Sequence, residues 1–480
     1  MNYGIIRYVL ARVIQIVGAM MVAPFAVSFI YGEKEGIYYL ACAAGALLTG
    51  GALAVKKPEK KDFYAKEGFV VTAASWILLS VIGALPLYFS GEMASFTDAL
   101  FETVSGFTTT GASVVPAVED LSRSANFWRC FIQLIGGMGV LVFLLAMLPM
   151  TGGQDIYIMK AESPGPDVGK LVPRVRRTAY YLYAIYFLLT TVLFFALLIA
   201  GMPLYDAICT AFTTTSTGGF GIKNDSLGGY APEVQYVVAG FLFLAGINYN
   251  FYFYIFRKRI KDAFSSEEVR LYAFIFFASV FFIAIVLING KVCGTEPAFR
   301  HAFFQVGSIM TTAGFSSIDY NDWPAAAREV IIFLMLLGGC AGSTSGGIKV
   351  SRLIIYVKIL GRELMELCHP RAVKTIRMDG ARVNNEVVKS AVSFIIAYAF
   401  IFVISVLLVS MDGKDFTTNF TAVASGLGNI GPGFSLVGPA ENFAHFSMLS
   451  KYVIMFDMIA GRLEIFPLLV LLAPATWRRK

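Results

Sequence analysis

Glycine and threonine recur together at four places in this chain of 480 residues, and their spacing indicates ion chemistry. Four segments of 14 residues each end in a glycine, and these final glycines are Gly111, Gly219, Gly314 and Gly431. Glycine permits backbone angles that turn carbonyl oxygens inward. Four strands that offer carbonyls to one axis can replace the hydration shell of a monovalent cation such as K⁺, with threonine hydroxyls as further neutral ligands at the inner end.

The residues before each glycine predict the element that positions it. Each segment is typical of a short helix of about two turns followed by extended backbone, too short to cross a bilayer core of about 30 Å. Such re-entrant backbone survives only where it lines a watery cavity or is buried in protein. The C-terminal carbonyl ends of these helices would favour a cation on the axis. Asp98 and Asp206 stand near the start of two of them, where we expect N-capping, with attraction of cations to the mouth as the alternative.

The composition is that of a polytopic membrane protein. Hydrophobic residues make up 57% of the chain and charged residues 15%, whereas soluble domains are about 45–50% apolar and about a quarter charged. Ten charge-poor stretches predict membrane spans: residues 13–31, 36–55, 68–91, 131–154, 178–205, 234–256, 271–290, 330–348, 390–411 and 452–477. Of the 39 Lys and Arg residues, 29 fall on the side that holds the termini, which predicts cytoplasmic termini.

Spans and glycine segments together predict an all-α polytopic membrane protein with four parallel helix–pore loop–helix repeats around one pore plus two N-terminal transmembrane helices. The N-terminal pair occupies residues 1–67, and the repeats occupy residues 68–153, 178–256, 271–358 and 389–477. An even number of crossings gives every repeat the same orientation, whereas an inverted-repeat transporter needs an odd number per half. Ordinary surface loops are the alternative, which four matched positions disfavour.

Residues 338–347 and Arg462 are candidates for control of flow. Five glycines and three hydroxyl residues within these ten positions argue against a continuous helix, because each glycine costs a helix about 1 kcal/mol. We expect a broken helix whose loop crosses the pore as a movable gate, and a tight helix-packing face is the alternative. Arg462 lies inside a predicted span, where it either pairs with Glu464 or Asp457 or stands as a positive charge just below the loops.

The repeats resemble the Trk/Ktr/HKT superfamily of K⁺ transporters over roughly residues 68–480. Residues 338–349 resemble that family's intramembrane loop and residues 460–466 its final-helix motif, while two extra N-terminal spans point to the H-type Trk membrane subunit. The resemblance implies a selectivity filter at Thr109, Thr110, Gly111, Thr217, Gly218, Gly219, Thr312, Ala313, Gly314, Asn429, Ile430 and Gly431. The gate set is Gly338, Gly339, Gly342, Ser343, Thr344, Ser345, Gly346, Gly347 and Arg462, and the resemblance favours the second role for Arg462.

The match departs from the family at two places. The fourth loop has no threonine beside its glycine, and the third re-entrant helix is expected to start at His301 instead of an acid, so the filter is only approximately fourfold. In plant-type relatives a serine at the first glycine position accompanies Na⁺ preference. Gly111 occupies that position here, which implies K⁺ preference.

The resemblance implies potassium uptake across the bacterial inner membrane through a gated, channel-like, K⁺-selective pore, with a Na⁺- or H⁺-coupled symporter as the alternative. No GxGxxG after a strand and no GxxxxGK[ST] occurs, so the chain is expected to bind no nucleotide itself. NAD(H) and ATP are expected only on a cytosolic ring of the TrkA type, and the resemblance also implies a homodimer. The net charge of +7 is explained by membrane topology without a nucleic-acid partner. An enzyme or a metal site is disfavoured by three distant histidines and six scattered cysteines.

Overall fold

The computed structural model describes residues 1–58, 64–139, 175–370 and 375–478, with backbone only for residues 175–179. Helices dominate this part of the chain. The strands within it, Arg377–Met378 and Ala381–Arg382, pair antiparallel as a small hairpin. The predicted all-α class is therefore confirmed.

Two N-terminal helical rods precede the repeats. The first rod is Tyr3–Met20 continued by Val22–Tyr31, and the second is Gly36–Ala54. They pack closely because Gly18 lies at their contact, where an added Cβ would be 2.9 Å from the Ala46 Cβ. The rods also define the two ends of the molecule. Glu33, between the rods, accepts hydrogen bonds from the backbone N–H groups of Arg123 and Ser124. We call the end of the molecule at which these three residues lie the loop face.

Each repeat has a leading helix, a re-entrant helix, a loop and a trailing helix. The leading helices are Ala65–Phe89, Val175–Ile199, Glu267–Asn289 and Asn385–Val409. The re-entrant helices are Phe96–Phe107, Leu204–Thr215, Thr295–Met310 and Phe416–Gly428. The trailing helices are Arg123–Met138, Pro232–Ala245 with Tyr249–Phe256, Ala325–Leu336 with Val350–Cys368, and Met448–Arg462 with Phe466–Leu472 and Pro474–Trp477. Short connections are the helix Ile260–Ser265 and the 3₁₀ turns Val118–Asp120, Ser410–Asp412 and Ser435–Val437.

The trailing helices are where predicted spans are not continuous. In the described ranges six helices are long and apolar enough to cross a membrane, and a seventh counts only if Pro232–Ala245 and Tyr249–Phe256, bent by 91°, form one span. The predicted spans over residues 234–256, 330–348 and 452–477 are each made of more than one helix, and the break in the second is the one expected at residues 338–347. In the last of these the cause is local, because Glu464 and Ile465 have left-handed φ angles of 53° and 71°. The ends of span 131–154 and of the first repeat lie outside the described residues.

The re-entrant helices are longer than the predicted two turns. They contain 12, 12, 16 and 13 residues, which at 3.6 residues per turn is about three to four turns. The third begins at Thr295 and carries Glu296 in its first turn, so His301 lies within the helix and not at its start. The predicted start followed the 14-residue frame shared by the four segments, and the third helix begins six residues before that frame, whereas the other three begin two residues before it.

The capping roles expected for two aspartates were also wrong. Ser95 caps the first re-entrant helix by accepting from the Asp98 backbone N–H, and the second helix has no side-chain cap. The Asp98 carboxylate instead pairs with Lys451 Nζ at 2.7 Å. Asp206 accepts a hydrogen bond from the Tyr230 hydroxyl at 2.7 Å. Both carboxylates therefore join a re-entrant helix to a neighbouring segment.

Candidate functional site

All four loops leave their re-entrant helices by the same backbone path. The first residue of each loop has a left-handed φ, with values of 56° at Thr109, 53° at Thr217, 59° at Thr312 and 55° at Asn429. The next residue donates its N–H to a helix carbonyl five positions earlier, at 2.8 to 2.9 Å, in Thr110, Gly218, Ala313 and Ile430. This is a common way to end a helix. Because these amide hydrogens point back to the helix, the loops present carbonyl oxygens to one another.

The four loops close into a ring in chain order. In every unit the glycine faces the carbonyl oxygen of the residue that precedes the glycine in the following unit, and the fourth unit faces the first. A Cβ added to the glycine would meet that oxygen at 2.3 Å (Gly111 and Gly218), 1.7 Å (Gly219 and Ala313), 2.0 Å (Gly314 and Ile430) or 2.9 Å (Gly431 and Thr110). All four glycines also have positive φ, between 77° and 107°. A side chain at these positions is excluded by space and by backbone conformation together.

A cavity opens on the loop face of the ring. Its volume is about 250 Å³, and its lining includes all four ring glycines. Arg129, Lys223 and Glu441 bring charge to its wall. An ion arriving from this face therefore reaches the ring through a polar space.

Arg462 lies against the opposite side of the ring. Its Nη1 is 3.1 Å from the Thr344 carbonyl oxygen and 3.4 Å from the Thr109 hydroxyl. Its Nη2 donates to the carbonyls of Gly136 and Gly137, the latter at 2.6 Å. The guanidinium thus connects the first loop, the first trailing helix and residues 338–347.

The acidic partners considered for Arg462 are bonded elsewhere. Glu464 pairs with Arg352 at 2.5 Å. Asp457 accepts from the Ser405 hydroxyl at 2.8 Å. The Arg462 guanidinium itself lies next to Thr109 of the first loop and Thr344.

Residues 338–347, which we call the intramembrane loop, break the third trailing helix directly beneath the ring. The loop's Gly346 N–H donates to the Thr312 hydroxyl of the third loop at 2.6 Å. The Thr344 hydroxyl donates to the carbonyl of Thr215, at the end of the second re-entrant helix, at 3.2 Å. With Arg462 bound to Thr344, the intramembrane loop contacts residues of the second, third and fourth units, and eight of its ten residues are buried. It is a broken helix and not a continuous packing face.

Two buried charged side chains hold the intramembrane loop from below. The Glu268 carboxylate, 4% exposed, accepts from the backbone N–H of Ala341 at 2.6 Å and of Ser351 at 3.0 Å. Lys349 Nζ donates to the Ser345 carbonyl. The sequence analysis did not single out either residue for this role. The available signal was an acid at the start of an otherwise apolar leading helix.

Three further buried residues behind the ring escaped the sequence analysis. Gln133 and Arg129 lie one turn apart on the first trailing helix, and Glu102 lies on the first re-entrant helix. Gln133 Nε2 donates to the Gly218 carbonyl at 2.7 Å, and Arg129 Nε pairs with Glu102 at 2.7 Å. Ionisable and amide groups inside apolar stretches were the signal for them.

The site as a whole can handle a cation through oxygen atoms. It combines a ring of loops rich in carbonyls, a polar cavity on one face and the guanidinium of Arg462 on the other. Within the described ranges no group of three His, Cys, Asp or Glu residues is placed to hold a metal ion. Fold and site together define a membrane transport protein built from four pore-loop repeats.

Comparisons with known proteins identify the family. A family model described as "TrkH: Cation transport protein" matches residues 39–479, and the chain belongs to this family. The "Trk system potassium uptake protein TrkH" of Escherichia coli K12 is 34% identical over the whole of both chains. The "Trk system potassium uptake protein TrkG" of the same strain is 35% identical over 95% of both. The crystal structure of the potassium transporter TrkH from Vibrio parahaemolyticus superimposes with a TM-score of 0.90 at 32% identity over both complete chains.

The family membership confirms the resemblance inferred from the four loops. It also confirms that the chain is a transport protein and not an enzyme, because the relatives are transport proteins.

Proposed function

We propose that this chain takes up K⁺ across the bacterial inner membrane through a gated, channel-like pore. The observation that carries the proposal is the ring in which each glycine packs against a carbonyl oxygen of the next unit. Such a ring offers several neutral oxygens at one depth, which suits a dehydrated monovalent cation. The names of the relatives, potassium uptake proteins of the Trk system, support K⁺ as that cation.

The selectivity filter in this proposal is the ring itself. Its positions are residues 109–112, 217–220, 312–315 and 429–432, with the twelve loop residues named above as ion contacts. The third and fourth loops begin with different side chains, Thr312 and Asn429, but the φ angles of these two residues differ by only 4°. Backbone oxygens carry the selection, so the missing threonine at Asn429 changes it little.

The gate in this proposal is the intramembrane loop together with Arg462. Bonds that cross between units hold the loop under the ring, and the guanidinium adds a positive charge on the cation's route. Flow then requires the loop to move aside and Arg462 to leave the Thr344 carbonyl. Glycines at Gly342 and Gly347, both with positive φ, give the loop backbone conformations that other residues resist.

Coupled symport is the competing mechanism, and the carboxylates argue against it. Glu102, Glu268 and Glu464 are each bonded to Arg129, to backbone N–H groups or to Arg352. Asp457 lies behind the fourth re-entrant helix, with its Cβ atom next to Gly426. A proton or Na⁺ relay needs carboxylates along the route.

Cation flux in proteoliposomes tests the proposal. We expect K⁺ to pass more readily than Na⁺ and to follow the membrane potential without a Na⁺ or proton gradient. Flux that stops when the co-ion gradient is removed would establish symport instead.

Gly111→Ser is the matched test of the filter. The added side chain would meet the Gly218 carbonyl, so K⁺ over Na⁺ selectivity should fall. Gly91→Ser is its control, because Gly91 has a similar φ of 79° but no atom within 4 Å of an added Cβ. Equal selectivity in both variants would remove Gly111 from the filter.

The wider assembly is also a proposal. Both termini face the cytoplasm, a TrkA-type ring that carries NAD(H) or ATP docks on that side, and two copies of the chain form a dimer. The basic helix Val350–Cys368 leads directly from the intramembrane loop and gives such a ring a way to reach the gate. Flux that does not respond to the ring and its nucleotides would exclude this regulation.

A further inference from the structure

The first trailing helix holds the second loop of the ring with a single side chain. Gln133 is fully buried, and its amide makes two hydrogen bonds that flank Gly219. Nε2 donates to the Gly218 carbonyl at 2.7 Å, and Oε1 accepts from the Phe220 N–H at 3.1 Å. The fit is close, because a Cβ on Gly218 would lie 2.4 Å from the Gln133 Cδ. One amide therefore fixes the backbone on both sides of a ring glycine.

The third and fourth loops obtain the equivalent support from their own unit. Ser425 exchanges hydrogen bonds with the backbone of Gly431, and Ser308 donates to the Phe315 carbonyl at 2.6 Å. The matching position in the second unit is Thr213, six residues before Gly219. Its hydroxyl donates to the helix carbonyls of Cys209 and Thr210 instead of to the loop. The second loop thus depends on a residue from the first unit.

A buried ion pair holds the helix that carries Gln133. Arg129, one turn before it, pairs with Glu102 at 2.7 Å, and the two side chains are 1% and 0% exposed. Arg129 also donates to the Gly221 carbonyl at 3.3 Å, just beyond the second loop. Glu102 accepts from Ser113 and Val114, just beyond the first loop. The pair therefore ties the exits of both loops to one helix.

We propose that Gln133, positioned by the Glu102–Arg129 pair, is a specificity-determining residue of the ring. It sets the orientation of the Gly218 carbonyl, which Gly111 of the first unit also touches, and so sets the local width of the ring. Loss of the amide leaves this carbonyl free to turn toward a smaller ion. The inference rests on the proposed K⁺ selectivity and names a residue, outside the loops, that tunes it.

The test compares Gln133→Leu with Gln235→Leu in proteoliposomes. Gln235 is the matched control, because it is also a buried amide on a trailing helix, but it donates to the carbonyls of Leu227, Gly228 and Tyr230 outside the ring. We expect Gln133→Leu to lower the K⁺/Na⁺ flux ratio about fivefold, the effect of one lost hydrogen bond. Gln235→Leu should lower thermal stability to a similar degree and leave the ratio unchanged.

Two further variants keep the test decisive if Gln133→Leu does not fold. Gln133→Glu keeps the acceptor for the Phe220 N–H but places a carboxylate oxygen against the Gly218 carbonyl, so the ratio should again fall. Arg129→Lys keeps the charge beside Glu102 but loses the planar fork that reaches Gly221, so its effect should be smaller. An unchanged ratio in folded Gln133 variants, or an equal fall in Gln235→Leu, would overturn the inference. A wild-type protein that does not prefer K⁺ would instead overturn the proposed function.

Discussion

The ring and the intramembrane loop are both glycine-rich, yet they are held in different ways. Each ring loop is bonded to its own re-entrant helix through the backbone, with the same geometry four times over. The intramembrane loop has no such repeated pattern: backbone groups of Gly246 and Tyr249 and the side chains of Glu268, Arg462 and Thr312 all bond to it.

In the proposed gate, this difference separates a fixed ring from an intramembrane loop that moves. Backbone bonds within a helix end break only if the helix unwinds, whereas side chains can change rotamer and release a loop. The glycines of both regions make room for a carbonyl oxygen. A Cβ added to Gly338 would lie 2.0 Å from the Gly346 oxygen, and one added to Gly346 would lie 2.4 Å from the Gly428 oxygen.

The largest expected effect comes from filling the closest contact in the ring. In Gly219→Ala the new Cβ would stand 1.7 Å from the Ala313 carbonyl oxygen, so we expect K⁺ flux to be abolished. Gly201→Ala is the control, because Gly201 has a φ of 88° and no atom within 4 Å of an added Cβ. Flux measured in proteoliposomes that stays normal in Gly219→Ala would show that the ring is not rigid.

Release of Arg462 should have the next largest effect. Arg462→Ala removes the bonds to the carbonyls of Thr344, Gly136 and Gly137 and removes a positive charge from the cation's route. We expect K⁺ flux without the TrkA-type ring to rise about tenfold, because hydrogen bonds from a charged donor stabilise the closed arrangement more than neutral ones do. Arg362→Ala, which loses only pairs to Glu363 and Glu366, should leave flux unchanged.

A deletion within residues 341–346 tests the proposed gate by changing the intramembrane loop directly. A shorter loop cannot reach the Thr312 hydroxyl and the Thr215 carbonyl together, so flux without a partner should again rise. If neither the deletion nor Arg462→Ala altered flux, the intramembrane loop would not be the gate.

Glu268→Gln should have a smaller effect in the same direction. Both the Ala341 and the Ser351 N–H donate to Oε1, so the amide oxygen can still accept from both, but the negative charge that strengthens these bonds is gone. We expect flux to rise about threefold, in line with a weakened charged hydrogen bond. A fall in flux with normal folding would mean that Glu268 supports the open state.

The smallest effect concerns the anchoring of one re-entrant helix. Burial acts to raise the pKa of Asp415, but hydrogen bonds from Thr418 and Ser435 outweigh it and lower the pKa below the ordinary 3.8. The cap's contribution is therefore complete above pH 3.8 and is lost as the pH falls through the lower folded value. It should be below about 1 kcal/mol, because the group is exposed.

Asp415→Asn separates this titration from general acid damage. Asparagine is also a good N-cap but does not titrate in this range. Thermal melts between pH 5 and pH 3 should show a smaller loss of stability in the variant than in the wild type. The difference between the two losses should be at most about 1 kcal/mol. Identical losses would remove Asp415 from the acid response.

The sequence predicted the fold class and the four loops because glycine and threonine runs are rare inside membrane helices. It misplaced what depends on packing. The bend after Ala245 has short local marks, Gly246 after the first helix and Asn248 as the N-cap of the next. It lies where the chain meets the intramembrane loop, since the Cys340 N–H donates to the Gly246 carbonyl at 2.9 Å.

The residues behind the ring were missed for a related reason. Gln133 is 85 positions from Gly218 and carries no charge, so no short motif connects the two. Asp98 shows the reverse error, since a residue at the right place for a cap was used by the fold to bind Lys451. Local propensity identifies what a segment can do, and the tertiary neighbours decide which option is used.

The closure of the ring within a single chain has a consequence for how its properties can change. In an assembly of four identical subunits, every substitution alters all four quarters of the ring at once. Here Gly111, Gly219, Gly314 and Gly431 meet neighbours at four different distances, so each quarter can be altered alone. In the proposed filter, ion preference can therefore change one loop at a time, with the other three loops unaltered.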